Sequence, residues 1–75
     1  MELVPLDFLQ SGERAEIQDI DGDASDIHRL AELGIRKGAT VHMVQPGSPC
    51  ILTVGEQRFT LRLDPEVTVL VELNQ

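Results

Sequence analysis

Seventy-five residues suffice for one domain and one small core, because a chain of this length buries only about 60% of its unfolded surface. Hydrophobic residues make up 41% of the chain, as in a globular protein, but aromatics only 3%, so the core has to be aliphatic. Thirteen acidic against six basic residues give a net charge of −7, which excludes partners held mainly through phosphates, whether nucleic acid or an anionic membrane surface.

The opening "MELVPLDFLQSG" has neither the basic start nor the long apolar run of a secretory signal. Apolar runs such as Val69 to Val71 fall far short of the roughly 20 residues that cross a bilayer. Cys50 is the single cysteine and forms no intramolecular disulfide, so a cytoplasmic location is expected. Leu3, Leu6, Phe8 and Leu9 read as an irregular lead-in that packs its apolar side chains on the body before a Ser11-Gly12 turn. Arg14 to Ile20 is a first strand, although its alternation fails: Ala15, Ile17 and Asp19 fall on one face.

The acidic turn "DGDASD", Asp21 to Asp26, supplies a helix N-cap, Asp23 or Ser25. Ile27, Leu30, Ala31 and Leu33 follow at helical spacing and predict a helix of about two turns over Asp26 to Leu33. His28, Arg29 and Glu32 take its outer face. Gly34 is placed where a left-handed stop favours glycine, Arg36 and Lys37 follow it, and Gly38 turns the chain into the next strand.

Ala39 to Gln45 alternates Val41 and Met43 against His42 and Val44, and Pro46 to Pro49 is a turn. Cys50 to Val54, a Gly55-Glu56 hairpin loop and Gln57 to Leu63 make a β-hairpin. Its second arm points Phe59, Leu61 and Leu63 inward and Arg58, Thr60 and Arg62 outward. Asp64 to Glu66 is a proline corner, and Val67, Val69, Val71 and Leu73 share one face of a last strand. The expectation is a mainly β domain spanning 1–75: five short strands curled into a small barrel, with one short α-helix inserted after the first.

Few groups in this chain could do chemistry. "GIRKG" lacks the phosphate-loop pattern, and neither Ser11 nor Ser48 sits in a nucleophile elbow, so no enzyme, catalytic residue or cofactor is expected. His28, His42 and Cys50 are the only His and Cys ligands for a metal, and none is paired at ligand spacing. "DGDASD" begins like a calcium loop, but the sixth place, which needs glycine, holds Asp26, and the twelfth, Glu32, lies inside the helix. Two phenylalanines cannot line a proline-rich-peptide groove.

The order of these pieces resembles the ferrous-iron transport protein A (FeoA) family. Arg29, Leu30, Gly34, Gly38 and Val41 match its pattern of arginine-leucine, two spaced glycines and valine; Leu61 and Arg62 match a later leucine-arginine, and Val69 and Val71 an apolar ending. The likeness runs from about Leu6 to Leu73, while His28 stands where relatives often have a second basic residue and Glu66 where they commonly have alanine. The resemblance implies an SH3-like barrel and a small cytoplasmic accessory of the membrane ferrous-iron transporter, whose larger subunit carries a G-domain. A similar domain closes iron-dependent repressors, but an acidic chain without a helix-turn-helix is no complete repressor. The expected partner surface is the outer helix face, His28, Arg29, Glu32, Arg36 and Lys37, held in place by Leu30, Leu33, Gly34 and Gly38. Two alternatives of other classes stand beside it: a ferrous-iron-binding protein using His28, His42, Cys50 or the acidic loop, and a module that self-associates through an edge strand such as Val67 to Leu73.

Overall fold

The computed structural model describes residues 2–74. In chain order it has β1 (Leu3–Pro5), a 3-10 turn (Leu6–Phe8), β2 (Arg14–Asp21), α1 (Ala24–Glu32), β3 (Thr40–Gln45), β4 (Cys50–Val54), β5 (Gln57–Leu61) and β6 (Thr68–Asn74). All six strands form one antiparallel sheet in the order β1-β6-β2-β3-β4-β5.

Two expectations about architecture are corrected here. The lead-in contributes a sixth strand, and the sheet does not close: β1 and β5 are edges with no ladder between them. β1 pairs with β6 over only three positions, the last of them Pro5, which has no N–H and hands the chain to the 3-10 turn. Leu6 then fills the gap between the edges, lining a small hollow with Gly47, Cys50 and Leu61. The last strand is not an edge either. β6 lies between β1 and β2, so its backbone is occupied on both sides.

The failed alternation in the first strand is a β-bulge. Ile17 pairs with Val71 and Asp19 with Leu70, which leaves Gln18 as the inserted residue. The insertion resets the period, so Ile20 packs on the core and Asp19 faces solvent. Across the sheet, Ala15, Ile17, Val41, Met43, Leu52, Val69 and Val71 build one aliphatic core. The lead-in joins it only in part. Leu6 and Leu9, three residues apart, fall on one side of the 3-10 turn and are buried, while Phe8 is 69% and Leu3 46% exposed. Packing of all four was expected; the tight turn points Phe8 away from Leu6 and Leu9, and Leu3 is exposed on the edge strand β1. At the β4–β5 hairpin Gly55 has φ 62 and no non-glycine residue among the described ones has positive φ, which fits a loop with glycine first.

Candidate functional site

Helix α1 carries most of the expected surface, and its two ends are fixed by different devices. Asp23 is the N-cap: its Oδ1 accepts from the Asp26 N–H at 3.1 Å and from the Ser25 hydroxyl at 2.8 Å. These bonds hold the Asp23 carboxyl below the usual carboxylate range, the Asp26 amide being the largest cause. Ser25, the other candidate, supports that cap from inside the helix, which begins at Ala24, two residues before the expected start.

The C-terminal end is a Schellman motif. Gly34 N–H donates to the Ala31 carbonyl and Ile35 N–H to the Leu30 carbonyl, both at 2.9 Å, with Gly34 at φ 91. This reversal drives Ile35 into the core, where it is fully buried beside Leu30. Counting the helical face stopped at Gly34 and so missed Ile35. Its signal was there, since an apolar residue directly after a stop glycine is part of this motif. Gly38, at φ 89, donates its N–H to Ile17 O at 2.8 Å and aligns the chain for β3.

Between α1 and the β5–β6 connection lies a groove of about 340 Å³. Leu30, Leu33, Leu61, Leu63 and Val67 give it an apolar lining, and Arg29, Arg62, Asp26 and Asp64 supply its charge. Asp64 is partly engaged, because its Oδ1 accepts from the Glu66 N–H at 2.9 Å to close the proline corner. Neither arginine makes an ion pair among the described residues, where the one Lys or Arg pair is Lys37–Asp19. In a chain of net charge −7, two of six basic side chains thus line one groove with an apolar floor, neither of them in an ion pair. Such planar, weakly hydrated heads suit a carboxylate-bearing partner.

The other expected residues are placed as follows. His28, Arg29, Glu32, Arg36 and Lys37 are all exposed, but they do not face one way. Arg29 turns to the groove; His28 and Glu32 pair at 4.0 Å along the helix, and Lys37 leans on Asp19 of β2 at 3.7 Å. Arg62 and the Leu63–Val67 corner were not anticipated as partner contacts, since only folding brings them to Arg29. His28, His42 and Cys50 sit on α1, β3 and the start of β4. No group of three or more His, Cys, Asp or Glu side chains is gathered among the described residues. Cys50 is buried, and desolvation pushes its thiol pKa up. No helix among the described residues is long and apolar enough to cross a membrane.

Comparison with known proteins gives a consistent result. The FeoA domain family matches residues 4–73. A crystal structure of an iron uptake regulatory protein, FeoA, superposes with a TM-score of 0.88 at 25% identity, covering 97% of this chain and 100% of that one. Another, of Stenotrophomonas maltophilia FeoA in complex with zinc, is 33% identical over 92% of this chain and 89% of that one, with a TM-score of 0.75. That relative is described as a procaryotic SH3 domain protein and a candidate ferrous iron transport activating factor. No curated protein sequence matches the chain.

Proposed function

We propose a role that starts from family membership: this chain belongs to the FeoA domain family, whose SH3-like members are linked to ferrous iron transport. The chain acts as one unit over residues 1–75, a cytoplasmic, non-enzymatic accessory that docks on the G-domain side of a membrane ferrous-iron transporter. The observation that carries this reading is that Arg29 and Arg62 line the same groove. They belong to the two arginine-bearing motifs of the family resemblance, lie far apart in sequence, and flank one apolar groove without ion-pair partners.

The docking surface therefore keeps Arg29 from the outer helix face and adds Arg62, with Leu30, Leu33, Leu61 and Val67 beneath them. His28, Glu32 and Arg36 do not line the groove and stand outside this surface. Lys37, occupied by Asp19, contributes least. An acidic and apolar segment of the transporter is the complementary occupant, its carboxylates on the guanidinium groups and its apolar side chains on the leucines.

The two alternatives have less support. For metal binding, the candidate ligands His28, His42 and Cys50 lie on three different elements and Cys50 is buried. For self-association, the strand expected to pair between copies is internal to the sheet. A pull-down with the transporter's soluble G-domain region tests the preferred reading. The full chain is expected to be retained, Arg36→Glu/Lys37→Glu to be retained nearly as well, and Arg29→Glu/Arg62→Glu to be lost. Equal retention of all three would remove the groove from the site, and retention of none would remove the partner.

A further inference from the structure

Phe8 is the most exposed large apolar side chain among the described residues and one of only two aromatics in the chain. It does not stand alone. With Pro5, Leu63, Pro65, Val67 and Val69 it lines a second groove, of about 280 Å³, and Leu3 is exposed on the adjoining β1. The Leu63–Val67 corner is common to both grooves: α1 walls the one that holds Arg29, and the 3-10 turn walls the one that holds Phe8. Their electrostatics differ. The charged residues of the Phe8 groove are Asp7 and Asp64, and no basic side chain lines it.

We propose that the Phe8 groove is a separate docking surface for a partner-protein segment in which an aliphatic or aromatic side chain is flanked by lysine or arginine. An exposed aromatic at the mouth of an apolar groove is the arrangement that anchors interfaces, since its burial gains large area at small entropic cost. The acidic rim selects what brings that apolar group. Anionic lipid headgroups would be repelled by Asp7 and Asp64. A second copy fits poorly too, because a two-fold contact sets each acidic rim against its equal on molecules that carry −7 apiece. Basic flanks complement the rim and speed the encounter. The inference does not depend on what the Arg29 groove binds.

Panning a random-peptide phage library on the full chain, then titrating the strongest peptide into the 15N-labelled protein, tests it. Enriched peptides are expected to place Lys or Arg within a few residues of Leu, Ile, Phe or Trp. Amide shifts should centre on Asp7, Phe8, Val67 and Thr68. Phe8→Ser and Asp7→Lys should each weaken the peptide by about tenfold or more, while Phe8→Trp keeps binding. Phe8 and Asp7 are exposed, so all three variants should melt near the parent temperature. Enrichment of acidic peptides, failure to enrich any, shifts confined to other surfaces, or full affinity in Phe8→Ser would each overturn the proposal. So would a dimer in sedimentation equilibrium that Phe8→Ser abolishes, since it assigns the groove to a second copy.

Discussion

Alanine at Gly34 and alanine at Gly38 should cost different amounts although the two backbones are nearly the same. Both glycines hold a left-handed conformation, φ 91 and φ 89. A Cβ at Gly38 would meet nothing within 4 Å, whereas at Gly34 it would stand 3.3 Å from Val54 Cγ1. The shared term is the left-handed cost for an L residue, about 1–2 kcal/mol. Loss of chain freedom in the unfolded state offsets about 0.4–1 kcal/mol of that. Gly38→Ala is thus expected to lose about 1 kcal/mol, or roughly 4–8 °C in melting temperature for a domain of this size. Gly34→Ala adds an overpacking cost at the low end of its range, about 1 kcal/mol, because Val54 need yield only a few tenths of an ångström. The drop should therefore roughly double, against a total stability of roughly 4–11 kcal/mol at this length. Thermal and urea melts followed by far-UV circular dichroism measure both. Adding Val54→Ala to Gly34→Ala should recover about 1 kcal/mol as coupling in the double-mutant cycle. Equal losses at the two glycines, or strictly additive behaviour with Val54→Ala, would refute the packing of the helix end on β4.

Ile35→Ala should cost about 2–5 kcal/mol, a large share of that total, because the side chain is fully buried and its loss opens a cavity; a urea melt gives the value. Asp23→Ala should lower the melting temperature at neutral pH. Since the folded carboxyl titrates below its ordinary value, the contribution is present above that value and lost as pH falls through the folded one, so Asp23→Asn should keep the cap and flatten this part of the acid melting profile. Cys50 should resist maleimide at neutral pH until denaturant is added. Its raised pKa sets the opposite sign: the stabilising effect is complete below the ordinary thiol pKa of 9.0 and is lost as pH rises through the folded value, a loss that Cys50→Ala should abolish in alkaline melts.

What could be read from the sequence was local. The alternation of Gln57 to Leu61, the Gly55-Glu56 loop, a cap at Asp23 or Ser25 and the Gly34 stop depend on neighbours within a turn or a strand, and the structure has them, with Asp23 as the cap and the second hairpin arm ending at Leu61, two residues before the expected Leu63. β1 escaped because three residues ending in proline carry no period; its strand character exists only through pairing with β6. The internal position of β6 and the open seam follow from strand order, which no periodicity encodes. The bulge at Gln18 did leave a trace, the broken alternation at Asp19, but its meaning required the partner strand. At the site, Arg29 was legible as an outward helical residue. Arg62, just past the end of β5 and lining the same groove, was not, since outward alternation in the sequence shows exposure without showing what lies opposite. Phe8 was misplaced for a similar reason: Leu6, Phe8 and Leu9 close together imply burial until a 3-10 turn splits them.

The central claim is that the groove between α1 and the β5–β6 corner receives the transporter through Arg29 and Arg62. Calorimetric titration of the transporter's purified cytoplasmic G-domain region with the full chain, at low and at raised salt, addresses it most directly. Arg29→Glu/Arg62→Glu should weaken binding by about a hundredfold, as for two charged contacts near the centre of an interface, with the thermal melt unchanged, while Arg36→Glu/Lys37→Glu should change it by only about twofold. Undiminished binding by the Arg29→Glu/Arg62→Glu chain, with its fold intact, would contradict the account.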